Sequence, residues 1–293
     1  MMPIAKSELI INPDGSIFHL HLKPEQISDT IILVGDQDRV EMITKHFDTI
    51  EYKTQNREFR SHSGYYQNTF LTVLSTGIGT DNIDIVVNEL DALVNIDLKT
   101  RTIKQEKKSL NFIRIGTSGA LQKDIPVDSF VVSKMAIGFD GLLNFYANRD
   151  KISHKNIEQA FLNHTNWNET LPTPYFVEAS EALYKKLGHD MKQGITISAP
   201  GFYGPQGRVL RIPTKDKNLN NKISNFSYNQ QKITNFEMES SAIYGLSKHL
   251  GHQALTVCDI IANRSRGEYS KDYKKSMEKL ILLVLDRLGR LGN

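Results

Sequence analysis

The chain has 293 residues, enough for one large α/β domain or two small ones. Its 36 Lys and Arg balance 33 Asp and Glu to a formal charge of +3, and no element concentrates the basic residues, which argues against a nucleic-acid partner. The single cysteine, Cys258, excludes an internal disulfide and fits a reducing compartment, and no apolar run reaches the ~18 residues of a membrane helix, so a cytoplasmic protein without a membrane partner is expected.

Strand-like and helix-like segments alternate. The β-branched run TIILVG (30–35) predicts a strand, and DRVEMITKHF (38–47) follows with helical spacing. A second strand, TFLTVLSTGIG (69–79), ends in glycines and leads into a helix over 82–96, with Ile85, Val86, Leu90 and Leu93 at helical intervals. Further strands are predicted at 111–116, 129–139, 194–203 and 252–262. A helix runs from Ser240 to a stop at Gly251, and the C-terminal stretch from Lys274 is a long amphipathic helix. This alternation predicts an α/β fold, a single domain over 1–293 with a central mixed sheet flanked by helices. Two polar segments, 97–110 and 147–173, read as excursions; the lysines of the first, Lys99 to Lys108, read as a solvated loop.

In such sheets ligands sit beyond the carboxyl ends of the strands. At the first end, Gly35 and Arg39 at a helix start suit a phosphate. At the second, Gly77 and Gly79 are followed by Asn82, which breaks the dinucleotide-binding fingerprint. At the third, Arg114 interrupts an apolar strand between Ile113 and Ile115, where a guanidinium needs a carboxylate or a ligand. Gly116, Thr117, Ser118 and Gly119 then read as a small-residue turn with free N–H groups for an anion. Phe202, Tyr203, Gln206 and Arg208, in a Gly/Pro loop, could stack on a flat ring and bond its polar edge. Glu237 and Glu239 stand where a strand hands over to a helix, a place that suits either a sugar diol or the helix dipole. Cys258, in an apolar run, reads as a buried inert thiol.

RIGTSGA (114–120), FYGPQGR (202–208) and FEMES (236–240) occur together and in order, and with them the chain resembles nucleoside phosphorylases of the uridine phosphorylase type. The resemblance runs from about residue 18 to 270, apart from the two excursions. It implies phosphorolysis of a nucleoside, with inorganic phosphate as co-substrate and neither cofactor nor metal. It also implies self-association, as dimers or a hexamer, with sites shared between subunits. Gly35, Arg39, Arg114 and Thr117 would hold phosphate, with Arg57 reaching in from a neighbour. Glu239 and Met238 would hold the ribose, with the neighbour's His19 near the 5′-hydroxyl. Phe202 would stack on the base, Gln206 and Arg208 would bond a uracil edge, and Ser118 and Gly119 would line the base side. Arg114, Arg208, Gln206 and Glu239 would carry the chemistry.

One residue departs from that pattern. Asp259 lies in a strand where purine-specific enzymes of this fold use an aspartate on the leaving base, so it is a candidate base contact and purine cleavage the alternative. A base-releasing hydrolase has little use for three arginines, and a non-catalytic nucleoside-binding homologue would bind without turnover.

Overall fold

The computed structural model describes residues 2–289. In chain order, β1 (Thr30–Val34) leads into α1 (Gln37–Thr44), and β2 (Thr49–Asn56), β3 (Phe59–Tyr66) and β4 (Thr69–Ser75) form a meander before α2 (Thr80–Asn95). A short ribbon, β5 (Ile96–Asp97) and β6 (Thr102–Ile103), precedes the long strands β7 (Asn111–Ala120) and β8 (Phe130–Gly138). Next come α3 (Lys155–Thr165), β9 (Tyr175–Glu178), α4 (Glu181–Leu187) and β10 (Lys192–Ser198), then α5 (Leu219–Asn225), β11 (Ser227–Tyr228) and β12 (Gln231–Glu237). The last elements are α6 (Ser240–Leu250), β13 (Gln253–Asn263), β14 (Glu268–Tyr269) and α7 (Tyr273–Gly289).

The principal sheet is mixed and runs β11-β12-β10-β8-β13-β7-β1-β4-β3-β2. Near its end β7 also pairs antiparallel with β12, Gly119 opposite Phe236 and Ala120 opposite Asn235. That extra pairing closes β12, β10, β8, β13 and β7 into a ring.

Side-chain alternation explains how helices cover both faces. In β1, Ile31 and Leu33 pack with Val86 and Leu90 of α2 and Ile243 of α6. Ile32 and Val34 pack with Val40 and Ile43 of α1 and Leu280, Ile281 and Val284 of α7. Strands buried on both faces read as continuous apolar runs, which is why β1 and β7 are visible in the sequence. Each such side chain contributes about 1.5–3 kcal/mol on burial. The fold is the expected α/β arrangement.

One local expectation is corrected and two are refined. Residues 116–119 are not a turn: β7 continues through Ala120, because β13 pairs with it in parallel register from Asn111 to Ala120. Their N–H groups therefore belong largely to the sheet rather than to an anion cradle. The 147–173 excursion contains α3, whose Ile157 and Phe161 are buried, and Trp167 packs 4.7 Å from Phe139. The 97–110 stretch holds part of the short β5–β6 ribbon, and its lysines are exposed as expected, with Lys104 donating to the Val94 carbonyl at 2.9 Å and Lys108 paired with Asp29. The C-terminal helix begins at Tyr273, and the predicted residues 290–291 lie outside the described residues. Among the described residues no helix is long and apolar enough to cross a membrane.

Candidate active site

The strand ends surround a cavity of about 1100 Å³. Gly35, Arg39, Arg114, Thr117, Ser118, Gly119, Phe202, Gln206, Arg208, Met238 and Glu239 all line it. Residues more than 200 positions apart thus meet because β1, β7, β12 and the loop after β10 end on the same rim. Tyr203 turns to solvent, edge-on to Phe202 with ring centroids 5.3 Å apart.

At one end, Arg114 is buried and lies over Gly116, where a Cβ would stand 3.2 Å from the guanidinium carbon. Its Nε donates to Glu237 at 3.2 Å and its Nη2 to Glu239, while Nη1 is buried without a partner among the described residues. Burial alone would lower the Arg114 pKa, but Glu239 and Glu237 outweigh it and keep the group charged. Arg39, on α1, is nearly buried; burial first, then the like charge of Arg114, lowers its pKa.

The two glutamates divide the roles that the sequence left open. The Glu237 carboxylate accepts from Ser198 Oγ at 2.5 Å, from Arg114, and from the N–H groups of Glu239 (2.9 Å) and Ser240 (3.0 Å). It thereby holds the strand-to-helix turn and satisfies the first donors of α6. Both carboxylates line the cavity, but Glu239 stays outside the turn's hydrogen bonds, and its Oε1 accepts from Gly79 N at 2.8 Å. Gly79 adopts φ +102°, a conformation suited to glycine, and so presents that N–H. Burial, countered by Arg114 and reinforced by Glu237, raises the Glu239 carboxyl above the ordinary range.

At the other end, the Arg208 guanidinium lies 3.6 Å from the Phe202 ring centroid and donates to Gln206 Oε1 at 2.5 Å. Asn220 Nδ2 and Arg264 Nη1 fix the Gln206 carbonyl, the former at 3.0 Å. Arg264 also lines the cavity, and burial first, then Arg208, pushes its pKa to about 10. Sequence reasoning missed Arg264; its only signal was a second arginine just past a strand end.

Three candidates lie outside the cavity lining. Arg57 is exposed at the β2–β3 tip with φ +53°, and the half-buried His19 is joined to that tip by Asn56 Nδ2, which donates to the His19 carbonyl at 2.8 Å. Asp259, expected as a possible base contact, is corrected. It pairs in register with Thr117 on the face covered by α7, and its Oδ2 accepts from Ser276 Oγ at 2.5 Å. A register shift between Ile260 and Ala262 resets the alternation, so Ile261 and Ala262 line the cavity instead. Burial pushes the Asp259 pKa up to about 6. Cys258 is buried with its pKa pushed up to about 12, an unreactive thiol. Among the described residues no group of three or more His, Cys, Asp or Glu side chains could hold a metal ion.

Residues 29–286 match the Phosphorylase superfamily. The uridine phosphorylase of Thermococcus kodakarensis is 30% identical over 268 residues, 89% of this chain and 83% of that protein. That of Haemophilus influenzae is 30% identical over 279 residues, 92% and 96% of the two chains. A Trypanosoma brucei nucleoside phosphorylase, described as showing uridine phosphorylase activity, superposes with a TM-score of 0.86 at 28% identity, covering 96% of this chain and 99% of that one. A Toxoplasma gondii purine nucleoside phosphorylase, with a TM-score of 0.65 at 20% identity, shares the fold. The cavity's arginines, carboxylates and aromatic loop therefore stand in a chain that belongs to the phosphorylase superfamily, among nucleoside phosphorylases of the uridine phosphorylase type.

Proposed function

We propose that this protein cleaves uridine by phosphorolysis, forming uracil and ribose 1-phosphate in nucleoside salvage and catabolism. The observation that carries the reading is the arrangement within one cavity. A buried arginine with a spare Nη1 and a free-facing carboxylate stand at one end, and Phe202, Gln206 and Arg208 at the other. Uridine phosphorylase relatives at 30% identity support the same substrate.

In this reading phosphate lies among Gly35, Arg39, Arg114 and Thr117, where guanidinium forks match its oxygens. Glu239 accepts from the ribose 2′- and 3′-hydroxyls, Met238 packs on the sugar, and Ser118 and Gly119 border the base. Phosphate attacks C1′ as the C1′–N1 bond breaks through an oxocarbenium-like state. The electron pair passes to N1 and O2 of the pyrimidine, where Arg208 and Gln206 stabilise it, and uracil leaves after taking up a proton. No covalent enzyme intermediate, cofactor or metal is required.

Electrostatics supports self-association. Within one chain Arg114 is paired with both Glu237 and Glu239, and Arg39 stands beside Asp36, so the anion end carries little net charge. A phosphate dianion needs a further cation there. Arg57 and His19, side by side outside their own cavity, are suited to serve a neighbour's, in a dimer or a hexamer built of dimers, in the cytoplasm.

The test is release of free base from uridine and from inosine, each with and without phosphate. Uracil release that requires phosphate is expected. Hypoxanthine release would replace the pyrimidine reading, base release without phosphate would make the protein a hydrolase, and binding without turnover would make it a sensor.

A further inference from the structure

We propose that Glu89 is a positioning residue that sets the tautomer of His19, and so decides which hydrogen bond this ring offers to a nucleoside 5′-hydroxyl. The proposal rests on the reading above, in which His19 serves a neighbouring subunit's cavity.

Glu89 lies past the middle of α2, and its carboxylate gathers three donors from one short stretch. The N–H of His19 lies 3.1 Å from both oxygens, the N–H of Leu20 is 2.9 Å from Oε2, and His19 Nδ1 is 2.6 Å from Oε1. Among the described residues no Lys or Arg pairs with Glu89; His19 is its only basic partner. The far side of the same peptide is fixed too, by the bond from Asn56 to the His19 carbonyl. Phe18 packs edge-on against the imidazole, with centroids 4.8 Å apart. Backbone and ring are therefore held from several directions, and Nε2 is the ring atom with no hydrogen-bond partner among the described residues.

The chemistry of the partner fixes the proton. An ionised carboxylate only accepts, so Nδ1 carries the hydrogen, and the Nε2 of a neutral ring is left with a lone pair. Such a ring accepts a hydrogen bond from a 5′-hydroxyl. Replacing the carboxylate by an amide keeps an oxygen for the two backbone N–H groups but aims an NH2 donor at Nδ1. The ring then moves its proton to Nε2 and loses its ability to accept there.

Glu89→Gln tests this. In 15N-histidine NMR spectra at pH 8, wild-type His19 is expected as the Nδ1–H tautomer and E89Q as the Nε2–H tautomer. With saturating phosphate, kcat/KM for uridine should fall severalfold, up to about tenfold, through a higher KM, because the 5′-hydroxyl must turn to offer its oxygen to an Nε2–H donor. With 5′-deoxyuridine, which lacks the hydroxyl, it should change by less than about twofold. In a His19→Ala background, E89Q should cause no further fall for uridine. An unchanged tautomer, or parallel losses for both nucleosides, would overturn the proposal and leave Glu89 as a backbone anchor. If the wild type cleaves neither nucleoside with phosphate, the functional reading falls, and the NMR spectra alone decide whether Glu89 sets the tautomer.

Discussion

Arg114 on β7 is bonded to Glu239 at the entrance of α6; both residues line the same cavity, and the Arg114 Nη1 is buried without a partner among the described residues. Anion site and sugar site are thus built from a single ion pair. Arg114→Lys keeps the charge, but one ammonium cannot hold both glutamates and also reach the cavity. It should lower kcat/KM for phosphate by about 100-fold, the loss of one or two charge-assisted hydrogen bonds. Steady-state kinetics with varied phosphate check this, and a wild-type value would remove Arg114 from the phosphate site.

Glu237 acts through its neighbours. Glu237→Gln weakens the support of Arg114 and of the first turn of α6, and should cost about 1.5–3 kcal/mol of stability. Turnover of uridine and 2′-deoxyuridine should fall together, leaving their ratio near that of the wild type. A ratio that collapses toward one would mean that Glu237 touches the 2′-hydroxyl.

Asp259→Asn separates stability from catalysis. Buried beside Asp128, the Asp259 carboxyl has its pKa raised from the ordinary 3.8 to about 6. Its contribution to folding is therefore complete below 3.8 and lost as pH rises through about 6, a penalty of up to about 3 kcal/mol at neutral pH. The amide stays neutral, so the variant should gain stability over wild type as pH goes from 4 to 7, seen in denaturant midpoints. Uridine cleavage should stay within about threefold of wild type, because the carboxylate is bonded to Ser276 of α7 and does not line the cavity. A loss of activity with stability intact would return Asp259 to the base chemistry.

Sharing of sites predicts complementation. Arg57→Ala and Arg114→Lys subunits, each nearly inactive alone, should recover about a quarter of wild-type activity after mixed refolding. Half the dimers are then mixed, and each mixed dimer holds one intact site. Activity that stays at the level of the separate variants would place Arg57 in its own chain's site or in none.

Much of this was legible because buried strands announce themselves. β1 and the first half of β7 are apolar on both faces, and Arg114 stood out as the one charge within such a run. Edge strands did not: β2, TIEYKTQN, lies at the sheet's margin with mostly exposed or half-exposed residues, so the sequence shows no apolar pattern there. The stretch 116–119 reads locally as a turn because glycines and hydroxyls favour one, and only the distant partners β13 and β12 hold it extended. Asp259 misled for a related reason. Asp259 falls in step with Leu255 and Val257, which pack with α7, and no local pattern says which face of a strand will meet the cavity.

The closure of β7 onto β12 has a kinetic consequence. Arg114 lies upstream of that seam on β7, while Glu237 and Glu239 lie just past it on the β12 side. A slip of one residue would swap the faces of the paired side chains and separate the arginine from both carboxylates. Refolding chains should therefore gain most of their helical signal before they gain any turnover, and activity should return in one late step, when the hoop locks in register.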